Sequence, residues 1–279
     1  MIGDLHCHTR MSDGSLGIEE LIAYAKRAGM DFISITDHDT MAAVDRAIVV
    51  GKRHGVHVIP GVEFSCQDHK SGYKAHVICY LPMFPRRLEG ACAKMLEERI
   101  RAGNQEMKNV MRLYPITLEQ VARYSSQSRA PYRQHIMHAL MELGYTDKIF
   151  GELYDDLFGS GRRCRVEKEY LELHDVTALI RQAGGVVCLA HPTQFAPVDM
   201  AVELAEKGEI DAIEVDSRNN KPETMGELTD IAERYGLIRT GGSDFHGFYY
   251  DRPEPIGTCI TDAKGITDLF AAAKAYRKE

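Results

Sequence analysis

The sequence predicts an α/β fold, a barrel of alternating strands and helices that carries a helical insertion near its middle. Short apolar runs rich in β-branched residues alternate with amphipathic helical stretches along most of the 279 residues. Seven or eight strands of this kind favour a barrel over an open sheet. The alternation lapses between about residues 83 and 169, where apolar residues recur with the helical period instead.

The first half of the chain supplies four of these strands. Residues 4–8 form an apolar strand, and the amphipathic helix after it ends before Gly29, a favourable residue for a helix C-terminus. We expect the strands to be parallel and joined by helices, as in repeated β-α-β units. The remaining elements predicted in this half are strands at 31–36, 56–60 and 75–81 and a helix at 41–54.

The second half resumes the alternation. Asp175 and Gly184 suit the two ends of a helix, because Asp accepts hydrogen bonds from free backbone N–H groups and Gly adopts the left-handed conformation. The elements predicted here are strands at 186–190, 212–215, 237–240 and 256–260, and helices at 176–183, 198–206, 222–235 and 266–277.

The middle segment is interpreted as an insertion that covers the substrate site. Its predicted helices span 88–113, 118–124 and 134–142, and Thr117 with Gln120 forms a capping box before the second helix. The chain therefore divides into a barrel that carries the metal site, residues 1–82 and 170–279, and a helical insertion, residues 83–169.

Composition and charge exclude some classes of partner. The net charge of −7 argues against binding to duplex DNA, whose non-specific affinity depends on many Lys and Arg contacts to phosphate. The seven cysteines are scattered without paired spacing, which indicates reduced thiols in a cytoplasmic protein. We expect no membrane association, because no signal segment and no apolar run of bilayer length is evident. The oligomeric state does not follow from the sequence.

Potential metal ligands stand at or near the end of almost every predicted strand. His6 and His8 are two residues apart and therefore on one face of the first strand, and the loop after it contains Asp13. The C-terminal ends of parallel barrel strands meet at one face, where such folds place their sites. We expect nine side chains to converge there: His6, His8, Asp13, His38, Glu63, His76, His191, Asp244 and His246.

The number and kind of these donors indicate the cofactor. Nine nitrogen and oxygen donors are too many for one ion and suit two or three, and Mn²⁺, Fe²⁺ and Zn²⁺ all accept imidazole and carboxylate ligands. Taken alone, His76 or His191 is more often a hydrogen-bonded histidine than a ligand. Glu63 differs, because burying an unpaired acid in a strand is costly. Divalent ions about 3.5–4 Å apart suit hydrolysis at phosphorus.

Six segments between residues 4 and 247 form a recognisable series of motifs. They are DLHCH at 4–8, SDG at 12–14, ITDHDT at 35–40, GVEFS at 61–65, AHP at 190–192 and GSDFHG at 242–247. In order and spacing they resemble the PHP (polymerase and histidinol phosphatase) family, and within it the stand-alone branch of bacterial nucleoside 3′,5′-bisphosphate phosphatases and 5′-3′ exoribonucleases. The resemblance implies a distorted (β/α)7 barrel with a trinuclear metal site that is usually associated with Mn²⁺.

The resemblance also implies a division of the ligands among three ions. His6, His8 and Asp244 would hold the first ion, Asp13, His38 and His246 the second, and His76 with His191 the third, while Glu63 would bridge the first and third. The residues by themselves predict the same nine ligands without this division.

A further motif, in the insertion, bears on the substrate. Arg133 and His135 match the Arg and His of the branch's Gly-Arg-Pro-His-Ile motif, which implies that they reach over the metals and grip a phosphate. A solvated Arg and a helix-capping His are the alternative. Tyr132 stands where the branch has Gly, and Arg218 lies in a segment that departs from the family pattern. Arg218 either replaces a lost phosphate contact or pairs with a nearby acid such as Asp216.

The function that follows is hydrolysis of a phosphate monoester of a small metabolite or nucleotide, such as a nucleoside 3′,5′-bisphosphate. A hydroxide that bridges the ions would attack phosphorus, and the leaving group would take a proton from His191, His246, Asp39 or a metal-bound water. The alternatives are phosphodiester hydrolysis, on a cyclic phosphate or on short RNA from the 5′ end, histidinol-phosphate phosphatase activity, and a non-catalytic nucleotide-binding module.

Overall fold

The computed structural model describes residues 1–250 and 254–276, which form eight strands and ten α-helices. The strands are β1 Gly3–Cys7, β2 Phe32–Ile35, β3 His57–Gln67, β4 Lys74–Tyr80, β5 Leu171–Glu172, β6 Val186–Ala190, β7 Ala212–Asp216 and β8 Ile238–Gly241. The helices are α1 Ile18–Arg27, α2 Val44–His54, α3 Glu89–Met111, α4 Leu118–Ser125, α5 Arg133–Glu142, α6 Glu152–Phe158, α7 Leu173–Gln182, α8 Val198–Glu206, α9 Met225–Tyr235 and α10 Ala263–Tyr276.

The strands form one sheet that curls into a nearly closed barrel. Seven of them pair in the order β1-β2-β3-β4-β6-β7-β8, and β5 adds to the C-terminal end of β3. The two edges meet through residues that follow β8. The His8 N–H donates to the Phe245 carbonyl at 2.8 Å, and Gly3 and Thr261 exchange two backbone hydrogen bonds. The predicted α/β barrel is therefore confirmed.

Apolar faces pack the helices against the barrel. In α1, Leu21, Ile22 and Ala25 are buried on one face, as the helical period predicts. Helix α2 ends at Gly55, whose φ of 67° is the left-handed conformation that glycine adopts without strain. Among residues 1–250 and 254–276, no helix has the length and apolar character that crossing a membrane requires.

Strand β4 does not run in the expected direction. It is antiparallel to both β3 and β6, so the expectation of parallel strands is wrong at this position. Residues 68–73 alone connect β3 to β4, and a crossover to a parallel strand needs about a dozen residues or more. The reversal places His76, near the N-terminal end of β4, opposite Ser65 and Ala190. His76 therefore lies at the same face as the C-terminal ends of the parallel strands.

Other predicted elements also differ. Residues 256–260 form a loop rather than a strand, with Gly257 at a φ of 84°, and Thr261 after them makes only an isolated bridge to Gly3. Strand β3 continues beyond Pro60 to Gln67, and α6 was not predicted. Arg277, the last residue of the predicted final helix, lies outside the described residues.

Helices α3 to α6 pack around an apolar cluster that includes Phe158 from α6 and also Tyr249 from the segment after β8. Helix α4 begins with the expected capping box, in which the Thr117 N–H donates to Gln120 Oε1 at 2.8 Å and the Gln120 N–H donates to Thr117 Oγ1 at 3.3 Å. The Ser128 hydroxyl, in the segment between α4 and α5, donates to the Ser12 carbonyl at 2.6 Å. This bond fixes the segment beside the loop that follows β1.

Candidate metal centre

Glu63 lies at the centre of the predicted ligands. Its side chain is fully buried in β3, and its backbone bonds to the loop after β2, since the Asp39 N–H donates to the Glu63 carbonyl at 2.9 Å. Five imidazole nitrogens surround its two carboxylate oxygens. Glu63 Oε1 is 2.9 Å from His76 Nδ1, 3.1 Å from His191 Nε2 and 3.3 Å from His6 Nε2, and Oε2 is 3.0 Å from His38 Nδ1 and 3.3 Å from His8 Nε2.

Asp244 and Asp13 extend the cluster on its other sides. Asp244 Oδ1 is 3.0 Å from His8 Nε2 and 3.3 Å from His6 Nε2, whereas Asp13 Oδ1 is 3.2 Å from His246 Nε2. The donor atoms form overlapping groups in which all atoms lie within 4.8 Å of one another. These groups bring together all nine predicted residues and one further carboxylate: His8, Asp13, His38 and His246; His6, His8, Glu63 and Asp244; His38, Glu63 and His76; and His6, His191 and Glu214.

The buried polar atoms of this cluster fit bound cations. Leaving a buried nitrogen or oxygen without a hydrogen-bond partner costs free energy, and a cation satisfies several lone pairs at once. The groups offer imidazole and carboxylate donors and no thiolate, which suits Mn²⁺, Fe²⁺ or Zn²⁺. Eight of the nine residues have such unsatisfied buried atoms: His6, His8, Asp13, His38, Glu63, His76, His191 and Asp244.

Hydrogen bonds from outside the cluster orient two of the imidazole rings. His6 Nδ1 is 3.0 Å from Glu214 Oε1, and His246 Nδ1 is 2.8 Å from the Asp244 carbonyl. Because a carboxylate or carbonyl only accepts, Nδ1 donates in both rings and Nε2 presents its lone pair to the cluster. Glu214 Oε2 also accepts from the His191 N–H at 2.8 Å. Glu214 was not among the predicted site residues, although its place near the end of a predicted strand was a usable signal.

Opposite charges shift the pKa of the groups in the cluster. Burial lowers the pKa of His8, but the hydrogen bonds and charges of Asp244 and Glu63 outweigh burial and raise it to about 10. Burial raises the pKa of Asp13, yet the nearby imidazoles of His246 and His38 hold it well below its usual range. Asp13 is therefore ionised at neutral pH. A bound cation would take the place of the ring protons that balance the carboxylates.

Backbone strain is concentrated in the loops that carry these side chains. Asp39, His191 and Asp244 have positive φ values of 54°, 25° and 49°, and among the described non-glycine residues only Leu81 shares this property. Positive φ is unfavourable for residues with a Cβ and persists where surrounding contacts require it. These three residues follow β2, β6 and β8, so the strain lies at the same end of the barrel.

Two buried aspartates fix the loops after β1 and β8. Asp37 accepts from the Thr9 N–H at 2.7 Å and from the Ser12 hydroxyl at 2.6 Å. Asp4 accepts from the Ser243 N–H at 3.0 Å and from its hydroxyl at 2.5 Å. Each aspartate thus holds the loop that contributes a carboxylate to the cluster.

The candidate proton donors lie in different environments. His191 and His246 belong to the cluster itself. Asp39 does not, because its Oδ2 accepts from Arg99 Nε at 2.7 Å and its Oδ1 from the Ser65 N–H at 3.1 Å. With both oxygens engaged, this geometry favours a positioning role for Asp39 over the acid role that the sequence suggested. Arg99, from α3, had no signal in the sequence.

A cavity of about 520 Å³ opens onto the cluster and is bordered by several of the ligands. Gln134 from α5 donates to Asp13 Oδ2 at 3.1 Å, and Asn219 donates to Asp244 Oδ2 at 2.5 Å. Arg218 lines the same cavity, pairs with Glu254 at 2.7 Å and lies over the Tyr250 ring. Among the described residues, the acid that pairs with Arg218 is Glu254, and the suggested Asp216 instead accepts from the Ile260 N–H.

Arg133 and His135 lie apart from that cavity. Arg133 pairs with Glu106, with its Nε at 2.9 Å from Oε1, and lines a second, smaller cavity beside His76. His135 is buried, and its Nδ1 accepts from the Tyr132 N–H at 3.1 Å. Burial lowers the pKa of His135 to about 4, which leaves it uncharged at neutral pH. His135 acts here as a helix cap, and a phosphate contact for it stays a prediction.

Comparison with known proteins agrees with this architecture. The PHP domain model matches residues 4–237. The chain is 32% identical over 249 residues to phosphoribosyl 1,2-cyclic phosphate 1,2-diphosphodiesterase of Eggerthella lenta, covering 88% of this chain and 95% of that protein. It is 27% identical over 259 residues to 3′,5′-nucleoside bisphosphate phosphatase of Chromobacterium violaceum, and the match covers 87% of this chain and 86% of that protein. A crystal structure of a candidate metal-dependent phosphoesterase from Bifidobacterium adolescentis matches with a TM-score of 0.88 at 26% identity. The match covers 97% of this chain and 96% of that chain. The chain is a member of the PHP domain family.

Proposed function

We propose that this metal-dependent phosphoesterase hydrolyses a phosphate monoester of a small metabolite or nucleotide at a centre of two or three ions, with Mn²⁺ favoured over Fe²⁺ and Zn²⁺. The observation that carries the proposal is the environment of Glu63, where five imidazole nitrogens lie within 3.3 Å of one buried carboxylate. Divalent ions held by these closely spaced ligands would lower the pKa of a bound water and neutralise charge on phosphoryl oxygens.

The chain's own residues would divide this work. Glu63 would be shared by the first and third of the ions assigned below, a role supported by the position of its Oε1, 3.3 Å from His6 Nε2 and 2.9 Å from His76 Nδ1. Glu214 and the Asp244 carbonyl hold the rings of His6 and His246 in the orientation that ligation requires. The proposed sets are His6, His8 and Asp244 for one ion, Asp13, His38 and His246 for a second, and His76 and His191 for a third, with Glu63 shared.

The cavity at the centre would receive the substrate. Arg218 and Asn219 border this cavity, and their guanidinium and amide N–H groups are donors of the kind that bind phosphate oxygens. We assign the proton for the leaving group to His191 or His246, because Asp39 is engaged by Arg99. The insertion, residues 83–169, would cover the site, and Gln134 contacts a predicted ligand from that side.

A cytoplasmic location and a small substrate complete the proposal. All seven cysteines are free and buried, which suits a reducing compartment. The net charge of −7 disfavours duplex DNA as a substrate.

Hydrolysis of a cyclic phosphodiester is the second candidate. It is favoured by the relative from Eggerthella lenta, whose name specifies a cyclic phosphate and which aligns over 95% of its length. A cluster of cations can serve both reactions, because a diester differs by one charge and one additional leaving group. Cleavage of short RNA, histidinol-phosphate phosphatase activity and a non-catalytic binding module have less support.

The test is phosphate release by the purified protein loaded separately with Mn²⁺, Fe²⁺ or Zn²⁺. Adenosine 3′,5′-bisphosphate and a nucleoside 2′,3′-cyclic phosphate are offered side by side. We expect the monoester to be cleaved, and the His8→Ala variant to lose this activity while retaining its fold. The control is His174→Ala, which removes a partly exposed histidine that pairs with Glu209 at 2.6 Å and is not one of the nine predicted ligands. Absence of turnover with every metal would contradict the proposal.

A further inference from the structure

Tyr132, at the start of α5, carries a buried hydroxyl group that the mechanism above does not use. The residue is 8% exposed, and its hydroxyl oxygen has no hydrogen-bond partner among residues 1–250 and 254–276. Leaving a buried hydroxyl unpaired costs free energy, so the hydroxyl of a buried tyrosine usually has a partner. The missing partner is therefore evidence of a group that binds here.

The ring of Tyr132 is held on several sides. It lies nearly parallel to the imidazole of His38, with ring centroids 6.4 Å apart, and the Arg99 guanidinium lies 5.0 Å from its centroid. The His135 ring meets it edge-on at 5.8 Å, and the Tyr132 N–H donates to His135 Nδ1 at 3.1 Å. These contacts keep the hydroxyl buried beside a predicted metal ligand.

The hydroxyl group of Tyr132 acts as a donor at neutral pH. Burial is the main reason that the pKa of Tyr132 is raised well above its usual value, and the negative charges of Asp13, Asp39 and Asp37 outlast the opposing charge of Arg99. The side chain therefore keeps its proton, and that proton needs an acceptor.

Of the three carboxylates, only Asp13 has an oxygen to spare. Asp39 and Asp37 already accept hydrogen bonds at both carboxylate oxygens. Asp13 Oδ2 accepts from Gln134 at 3.1 Å, but Asp13 Oδ1 is buried without a partner, as is His38 Nδ1. Asp13 and His38 belong to one group of potential metal ligands, so the unpaired hydroxyl and these unpaired acceptors lie at the same part of the centre.

We propose that the Tyr132 hydroxyl donates a hydrogen bond to an oxygen ligand of the ion held by Asp13, His38 and His246. The proposal rests on the proposed function, which includes this ion. A cation would satisfy the lone pairs of Asp13 and His38 but accepts no hydrogen bond from a phenol, whereas an oxygen bound to that cation does. Water and a phosphoryl oxygen share this chemistry. Tyr132 would therefore position whichever of them occupies the coordination position beside His38.

The binding test uses Tyr132→Phe, which keeps the ring and removes only the hydroxyl. Competition with a chelator measures Mn²⁺ affinity in phosphate-free buffer, and calorimetry measures the affinity of the Mn²⁺-loaded protein for inorganic phosphate. If the oxygen is that of water, Mn²⁺ should bind the variant about three- to tenfold more weakly than the wild type. If it is a phosphoryl oxygen, the same loss should appear in phosphate affinity alone. Equal affinities of the two proteins for both ligands overturn the proposal.

Thermal melting separates this role from a purely structural one. Without metal, Tyr132→Phe should melt at or above the wild-type temperature, because no hydrogen bond is lost, and it should gain less stability from Mn²⁺ and phosphate together. Tyr80→Phe is the matched control, since it removes a buried hydroxyl that donates to the Leu5 carbonyl at 2.9 Å. This control should lose the same stability in both conditions. An equal loss in both conditions for Tyr132→Phe overturns the proposal.

Neither measurement requires turnover, so the two proposals can fail separately. If no phosphate ester is hydrolysed but Tyr132→Phe binds Mn²⁺ or phosphate more weakly, the proposed function fails and the role of Tyr132 stands. If hydrolysis occurs and the variant binds both ligands as the wild type does, the role of Tyr132 fails and the proposed function stands. A wild-type protein that binds none of Mn²⁺, Fe²⁺ and Zn²⁺ overturns both.

Discussion

His6 Nδ1 lies 3.0 Å from Glu214 Oε1, a contact between two fully buried side chains that are 208 residues apart in the chain. The other oxygen of Glu214 accepts from the His191 N–H at 2.8 Å. One carboxylate therefore positions a residue from β1 and a residue from the loop after β6. Glu214 does not line the cavity at the metal centre, so we expect it to act by positioning His6 and His191.

Replacing Glu214 by glutamine tests this positioning role. The amide has one accepting oxygen for two donors, so either the His6 ring or the His191 backbone loses its partner. We expect the affinity for Mn²⁺ to fall about 10- to 100-fold, as is usual when an outer partner of a ligating histidine is removed. Competition with a chelator of known affinity measures the change. Glu209→Gln, at the similar His174 pair, is the control, and equal affinity in both variants would contradict the role.

Removal of the metals should destabilise the folded chain. Eight of the predicted ligands have buried polar atoms without hydrogen-bond partners, and cations that bind them favour the folded state. At a free metal concentration of 1,000 times Kd, the expected loss on chelation is about 4 kcal/mol. Thermal melting of the Mn²⁺-loaded protein with EDTA, and with EDTA saturated by Mn²⁺ as the control, measures it. An unchanged melting temperature would show that the cluster does not bind metal tightly.

Loss of Arg99 should destabilise the fold more than loss of an exposed arginine. Arg99→Met leaves Asp39 buried without its cation, which we expect to lower the free energy of unfolding by about 3–5 kcal/mol. Arg46→Met breaks the exposed pair with Glu19 and should cost about 1 kcal/mol or less. Urea denaturation compares the two variants. Equal losses of unfolding free energy in the two variants would mean that the Arg99–Asp39 pair stabilises the fold no more than an exposed ion pair does.

Lys168 should give stability a measurable pH dependence. Its pKa is lowered from 10.5 to about 7 in the folded chain, by burial and by Arg99, Arg133 and Lys74, against the opposing charge of Glu106. Between these two pH values the unfolded chain binds more protons at this residue, so the free energy of unfolding rises with pH.

Lys168→Met should remove this contribution. The free energy of unfolding of the variant minus that of the wild type should be largest at pH 7 and shrink toward pH 9, as measured by urea denaturation. Lys207→Met should show no such trend over the same pH range. A pH-independent difference for Lys168→Met would contradict the lowered pKa.

The sequence was most informative where a residue's role is visible in its local pattern. His6, His8 and Asp244 stand at strand ends beside turn residues, and such positions predict a shared face without knowledge of the fold. Arg99 could not be assigned in this way, because its partner Asp39 is distant in the chain. The position of Glu214 near a strand end was a signal of the same kind, but only the closed barrel shows that Glu214 bonds to His6.

The direction of β4 was a different kind of error. The predicted strands at 56–60 and 75–81 left 14 residues between them, enough for a crossover, whereas in the structure only the six residues 68–73 connect β3 to β4. The extension of β3 through Glu63 was hidden, because Pro60 and Gly61 resemble a strand end. Lys168 had no signal, since its surroundings come from α3, α5 and β4 together.

The position of Glu63 within β3 makes the metal centre depend on strand register. Val62 and Phe64 on either side of it are fully buried in the apolar core, so a slip of one residue would turn a carboxylate into that core and a hydrophobic side chain toward the histidines. The centre therefore cannot assemble ahead of correct pairing between β3 and its neighbours. Metal affinity thus reports whether the barrel has folded in register.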